Sequence, residues 1–416
     1  MPDLNEHTSP QGSAPDDALT VTVEKLVYGG DGLSRDDGRV ILTPLVLPGE
    51  RITVEPLNKI NSRLLRIEEP SPLRVDAPCP HFGICGGCHF QHAPYAYQVE
   101  QKVEILREVI SRVARMEAPE HIRTISVPTG SFEYRNRTQL HIRDGEAGYL
   151  RMGSHELRPV EQCPISSPRL NDAIQVLTEQ LVRDRKWPAF IRTVEFFTNE
   201  QDVQMNVIDS EKPLAQHFFD WMAETIPGFA PGAIRYEAAG FNFRVGPRSF
   251  FQVNRFLVDA LTDESLRHAG TGETALDLYA GVGLFALPLS ARHGFAQVVA
   301  VESGASAIAD LKSNTARAGI GNVEPVRSAT AEYLAGLEKT PDFVVADPPR
   351  EGLGKSTVRE LIRLRPKRLA IVACDPATLA RDLQALVGAG FRLVDMAMVD
   401  LFPQTYHVET VAHLES

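Results

Sequence analysis

The feature that most limits how this chain can fold is a rhythm in its C-terminal part. Four apolar runs recur there with helical stretches between them: ALDLYAG (275–281), AQVVAVES (296–303), DFVVADPP (342–349) and RLAIVACD (368–375). Strands that read as unbroken apolar runs are buried on both faces. Their alternation with helices from residue 246 onward predicts an α/β domain built on a doubly wound parallel sheet. Such sheets bind ligands outside the C-terminal ends of their strands. Residues at those ends therefore carry the functional reading.

The upstream chain has a different texture. Residues 19–69 alternate apolar and polar positions in short stretches broken by Gly29-Gly30-Asp31-Gly32 and Pro48-Gly49, which predicts a small β-barrel over 19–70. Residues 71–94 are rich in Pro, Cys and Gly. Residues 95–117 have the apolar spacing of an amphipathic helix, and a second helix is expected near 168–185. The span 95–245 thus reads as a helix followed by a central β-rich α+β domain, and 246–416 as the parallel-sheet domain. Residues 1–18 are polar and acidic, offer no core, and read as a disordered tail.

Charge and cysteine usage narrow the class. The N-terminus has neither a basic nor an apolar segment of a signal peptide, and no apolar run reaches the length of a membrane span. A cytoplasmic protein without membrane contact is expected, and nothing marks an obligate protein partner. The net charge of −11 means that any nucleic-acid binding must come from local patches. The five cysteines are Cys79, Cys85, Cys88, Cys163 and Cys374. An odd count in a reducing compartment points to metal ligands, nucleophiles or inert core rather than disulfides.

Asp277 to Gly283 form a strand running into a glycine-rich turn, where Gly281 lets backbone approach a ligand. The next strand ends in Glu302, the position from which a carboxylate holds ribose hydroxyls. The dinucleotide fingerprint with its third glycine is absent. Asp347-Pro348-Pro349-Arg350 follows a third strand. Amino-group methyltransferases place an aromatic after the two prolines, and Arg350 disfavours that class. Cys374 lies between the strand RLAIVA and a helix opened by Pro376. A helix N-terminus there is expected to lower the thiol pKa.

One reaction needs a thiol beside a methyl donor. Carbon 5 of uracil is not nucleophilic until a thiolate adds at carbon 6. A base must afterwards remove the carbon-5 proton so that sulfur can leave. Glu409 and His407, in the last apolar stretch, are both candidate bases.

At these residues the chain resembles the RNA 5-methyluridine methyltransferases. The matching pieces are Ser249-Phe250-Phe251-Gln252 with Asn254, DLYAGVG (277–283), DPPREGL (347–353), CDPATLARDL (374–383) and FPQTYHVET (402–410), in the family's order. The resemblance implies a Rossmann-like S-adenosylmethionine domain with Cys374 as nucleophile and Glu409 as base. It implies that Gln252, Tyr279, Glu302 and Asp347 line the S-adenosylmethionine pocket, and that residues 19–69 are a TRAM module, an RNA-binding barrel. Two positions depart from the pattern: Asp375 stands where Asn is common, and Leu284 where a polar residue is common.

Cys79, Cys85, Cys88 and Cys163 supply four thiolates, a metal signal that fits either zinc or an iron–sulfur cluster. Resemblance to the family's iron–sulfur members implies [4Fe-4S]. Together with the TRAM-like module it implies 23S ribosomal RNA as substrate, with the T-loop of tRNA as the alternative. Tyr134-Arg135-Asn136-Arg137, His141, Arg143, Tyr149 and Arg151 interleave basic and aromatic residues in a pattern suited to RNA contact. Two competing readings are a catalytically silent RNA-binding factor and an amino-group or ribose methyltransferase with an incidental cysteine.

Overall fold

The computed structural model describes residues 17–127 and 130–416. Apart from residues 17 and 18, the expected N-terminal tail lies outside them. The chain forms two compact units. One holds the described residues up to Ile105 together with Tyr149–Arg158 and Phe402–His407. The other holds Leu106–Gly148, Pro159–Leu401 and Val408–Ser416. The units are not consecutive segments, because the chain returns to the first one twice.

In the first unit, five strands (Leu19–Leu26, Gly32–Asp36, Arg39–Thr43, Arg51–Pro56 and Ser62–Glu69) form an antiparallel sheet. Its edges meet: the Leu42 amide donates to the Ile60 carbonyl at 2.7 Å, and the Thr43 and Ser62 hydroxyls are 2.8 Å apart. The alternating residues Val21, Val23, Ile41, Ile52 and Val54, with Val46, fill the interior. Glu50 anchors the chain leaving this sheet. Its buried carboxylate accepts from the Leu47 amide (2.8 Å) and from Arg74 Nε (2.6 Å) and Nη2 (2.8 Å).

In the second unit, eight strands form one sheet. Their spatial order is Val323–Arg327, Phe295–Glu302, Gly272–Leu278, Phe343–Ala346, Arg368–Ala373, Glu409–Glu415, Arg392–Val399 and Arg123–Ile125. The first five run parallel, and Glu409–Glu415 pairs antiparallel with both of its neighbours. Chain order reverses between Gly272–Leu278 and Phe343–Ala346, so a crevice opens at their C-terminal ends. Val298, Leu276, Val344 and Ala370 are fully buried, as apolar runs covered on both faces require.

The sheet domain extends beyond residues 246–416. Arg123–Ile125 adds an edge strand far from it in sequence. The hairpin Ile234–Ala238 and Phe241–Val245 is also bound to it: Asn314, on the helix Ala305–Ala318, accepts from the Arg244 amide at 2.7 Å and donates to the Arg244 carbonyl at 3.1 Å. The helix expected over 95–117 runs as Tyr95–Val109, widens into a π-turn over Ile110–Ala114 and stops at Arg115, where φ is +54°.

Candidate active site

The turn after the strand Gly272–Leu278 is shaped by backbone that side chains rarely tolerate. Tyr279 has φ +64°, Gly281 +55° and Gly283 +97°. A Cβ at Gly283 would come within 2.6 Å of Leu311 and 2.8 Å of Leu287, so glycine is required there. A tyrosine held in the left-handed region carries strain of order 1 kcal/mol, of the kind that gathers at binding sites. Its hydroxyl is 3.3 Å from the Thr357 hydroxyl.

Glu302, at the tip of the next strand, accepts from the amides of Gly281 (3.0 Å) and Gly304 (2.5 Å). One carboxylate thus ties the glycine turn to the start of the neighbouring helix. Asp277 lies beneath this turn, fully buried. Burial, with Asp347 and Glu302 nearby, holds its carboxyl well above the usual range against the pull of the Ala286 amide.

Across the crevice, the Gln252 side-chain amide donates to Asp347 at 3.0 Å. Burial pushes the Asp347 carboxyl up to about 7, opposed by that hydrogen bond. Asp347 follows the strand Phe343–Ala346, while Gln252 comes from the connection before the sheet domain.

Cys374 follows the strand Arg368–Ala373 and is partly exposed. Ala373 pairs with Thr410, so Cys374 and Glu409, one step further along each strand, stand opposite one another. Glu409 is buried. Desolvation, with Asp347 nearby, raises its carboxyl well above the ordinary value. The expectation of a lowered thiol pKa is not met. The helix Pro376–Gly388 does begin beside Cys374, but the Asp375 carboxylate takes its first free amides, those of Ala377 (2.8 Å) and Thr378 (2.9 Å). Burial, then Glu409 and Asp347, push the thiol up to about 12, and Arg350 opposes them only in part. His407, the other candidate base, belongs to the other unit, where its ring lies 4.4 Å from that of Tyr406 and 5.4 Å from that of Phe402.

The Tyr134–Arg137 stretch, read as an RNA contact, is largely interior. Tyr134, Asn136 and Arg137 are buried. The Asn136 side chain donates to the Gln252 carbonyl (3.1 Å) and to the Tyr236 hydroxyl (2.9 Å). Arg137 donates to the Ser249 carbonyl (2.9 Å) and Glu195 (2.8 Å), with its guanidinium 4.5 Å above the Phe197 ring. These residues brace the segment carrying Gln252, and Arg143 alone among them in this unit is exposed.

A second brace was not legible in the sequence. Asp310, in the middle of the helix Ala305–Ala318, accepts from the Gly246 amide (2.7 Å) and the Ser249 hydroxyl (2.6 Å). A mid-helix aspartate has no motif around it that would single it out.

No disulfide joins any of the five cysteines. Cys79, Cys85 and Cys88 lie in the first unit on tight turns, where the Gly87 amide points at the Cys85 sulfur at 3.4 Å. Cys163 lies in the second unit, tied to Asn171. Among the described residues, no three His, Cys, Asp or Glu side chains form a group that could hold a metal ion.

A reversing parallel sheet, a glycine turn tied to a strand-tip glutamate and an acidic third loop define an S-adenosylmethionine-dependent methyltransferase. Residues 233–416 match the family model for tRNA (uracil-5-)-methyltransferases, starting at the hairpin that packs on the sheet domain. An uncharacterized RNA methyltransferase of Caldanaerobacter subterraneus is 30% identical, covering 95% of this chain and 97% of the relative. One from Streptomyces coelicolor is 34% identical over 95% of this chain and 92% of the relative. The crystal structure of the Pyrococcus abyssi tRNA (uracil-54, C5)-methyltransferase with S-adenosyl-L-homocysteine superposes with a TM-score of 0.73 at 26% identity, covering 95% of this chain and all of that one. The chain belongs to the RNA uracil-5-methyltransferase family, and it is an enzyme that transfers a methyl group from S-adenosylmethionine to RNA. Among the described residues no helix is long and apolar enough to cross a membrane.

Proposed function

We propose that this enzyme methylates carbon 5 of one uridine in 23S ribosomal RNA through a covalent bond between Cys374 and carbon 6 of the base. The observation that carries this reading is the ladder register that sets a partly exposed thiol opposite a buried carboxylate. Gln252, Tyr279, Gly281, Glu302 and Asp347 line the cofactor pocket. The left-handed turn, which keeps side-chain bulk off the backbone, fits that role. The bound cofactor supplies an electrophilic sulfonium methyl.

The residues divide the remaining work. The Cys374 sulfur adds to carbon 6 and gives its proton to the Asp347–Glu409 carboxylate pair, which spares a thiol near 12 from ionising alone. The electron pair pushed onto the uracil ring lets carbon 5 take the methyl. Glu409 then accepts the carbon-5 proton, the carbon–sulfur bond breaks, and the departing thiolate is reprotonated from the pair. One proton is left for solvent per methyl transferred. The target base must leave its stack to reach Cys374. Phe250, two residues from Gln252 and 59% exposed, offers a flat face on which an extruded base can stack.

The resemblance supports a TRAM role for the N-terminal sheet and a [4Fe-4S] cluster on Cys79, Cys85, Cys88 and Cys163. No step is assigned to a cluster, and iron and sulfide content of anaerobically purified protein decides its presence. A tRNA T-loop is the second substrate reading, favoured by the likeness to the Pyrococcus abyssi enzyme. The test is transfer of labelled methyl to unmodified 23S ribosomal RNA and to tRNA, followed by nucleoside analysis. We expect 5-methyluridine in the ribosomal RNA. Label only in tRNA overturns the substrate, and label in another nucleoside overturns the chemistry.

A further inference from the structure

A second cavity of about 550 Å³ lies in the larger unit, walled by the loop Asn199–Asp202, the hairpin residues Arg235–Glu237 and Asn242, and Arg255 with Phe256. Tyr236, a hydrogen-bond partner of Asn136, gives this cavity and the site described above a shared wall. The Tyr236 ring packs 4.7 Å from Phe251, beside Gln252, and its hydroxyl accepts from Asn136.

Three features say what the cavity takes. Phe256 is 43% exposed, and the Arg255 guanidinium lies 4.5 Å from its ring, a pairing that extends a flat stacking surface. Glu200 is a non-glycine residue at φ +74°, and its Oε1 is buried with no hydrogen-bond partner among the described residues. Its other oxygen lies 3.4 Å from Arg255 Nη1. A strained, unsatisfied acceptor is a group waiting for a donor. Finally, Glu200, Asp202 and Glu237 outnumber Arg235 and Arg255 on the lining, so phosphate is repelled and an uncharged group bearing N–H donors is favoured.

We infer that this cavity receives an unstacked nucleobase carrying an exocyclic amino group (adenine, cytosine or guanine) from the RNA strand whose uridine enters the active site. The base stacks on Phe256 and donates its amino group to Glu200. Its sugar and phosphate stay outside the acidic lining. The pocket thereby reads a second nucleotide, and substrate choice does not rest on the target uridine alone.

The test uses the full chain with S-adenosylmethionine and 5′-labelled single-stranded pentamers: all-uridine, and the same with one central adenine, cytosine or guanine. Fluorescence anisotropy should show at least one amino-bearing pentamer binding ~10-fold tighter than the all-uridine one, the size of one hydrogen bond to a charged acceptor. That advantage should vanish in Glu200→Ala and Phe256→Ala, while S-adenosylmethionine affinity stays unchanged in both. Equal binding of all four pentamers to the wild-type chain, or a preference that survives in both variants, overturns the inference. Neither outcome depends on which RNA is methylated.

Discussion

Cys374 and Glu409 face each other across the end of an antiparallel ladder, one step beyond the Ala373–Thr410 pair. Cys374, the proposed nucleophile, follows a parallel strand, and Glu409, the proposed base, opens the strand that returns beside it. Adjacent strands hold directly opposed side chains within about 5 Å at Cβ, so the distance between these two side chains is set by sheet geometry rather than by a loop. This placement makes the two steps of the reaction separable by mutation.

Cys374→Ala should abolish methyl transfer. Glu409→Gln should lower turnover by roughly 10²–10⁴-fold while leaving sulfur able to add. The second variant should accumulate a protein–RNA adduct that survives denaturing electrophoresis, and the first should not. If Glu409→Gln turns over slowly with no adduct, elimination does not depend on Glu409.

The pH profile should report the buried carboxylates. Asp347 sits at about 7 because burial opposes its charge. Its ionised form is the one able to take a proton from Cys374, so activity should rise as pH increases through about 7. Gln252→Ala removes the hydrogen bond that favours the charged form. The rise should then move to higher pH. A profile flat from pH 6 to 8 in single-turnover assays contradicts the role of this pair.

Asp310 should matter without touching substrate. Replacing it with Ala frees the Gly246 amide and the Ser249 hydroxyl and loosens the segment that carries Phe250 and Gln252. Loss of these buried hydrogen bonds should cost about 1–3 kcal/mol in stability. The Michaelis constants for cofactor and RNA should both rise, and the pH midpoint should not move. A shifted midpoint means that Asp310 acts on the titrating groups directly.

In the first unit, Glu50 and Arg74 make a stability prediction with a definite sign. Burial raises the Glu50 carboxyl, but the Arg74 hydrogen bonds and charge and the Leu47 and Ser71 amides outweigh it, so the pKa lies below the ordinary 4.5. The stabilisation is full above that value and drains away as pH falls below it. Arg74→Ala leaves a buried charge unpaired and should cost roughly 3–5 kcal/mol at pH 7. That variant should gain stability on mild acidification where the wild type loses it. Hydrogen exchange in the strands Leu19–Leu26 and Arg51–Pro56 gives the readout.

Much of the parallel-sheet domain was legible because its signals are local. Apolar runs covered on both faces, glycines forced into left-handed turns and a proline at a helix start are decided by neighbouring residues, and each marked a strand end at the crevice. Tyr279, Gly281, Glu302, Asp347 and Cys374 could all be located this way. The YRNR stretch could not. Its charges and aromatics have the same composition whether they face RNA or the interior, and only tertiary packing turned Arg137 onto Ser249 and Phe197. The thiol pKa was misjudged for a related reason. A helix N-terminus is readable in sequence, whereas the Asp375 cap, the burial and the two carboxylates that outweigh it come together only in space. The sequence by itself determined the parallel-sheet class, the glycine turn and the placing of Cys374 at a strand end, since these depend on residue type and short-range order. Tertiary structure alone decided that Glu409 opposes Cys374, that Asp310 and Asn136 hold the segment carrying Gln252, and that a second acidic cavity opens beside it. Strand register and charge proximity are relations between residues far apart in the chain, and local sequence does not encode them.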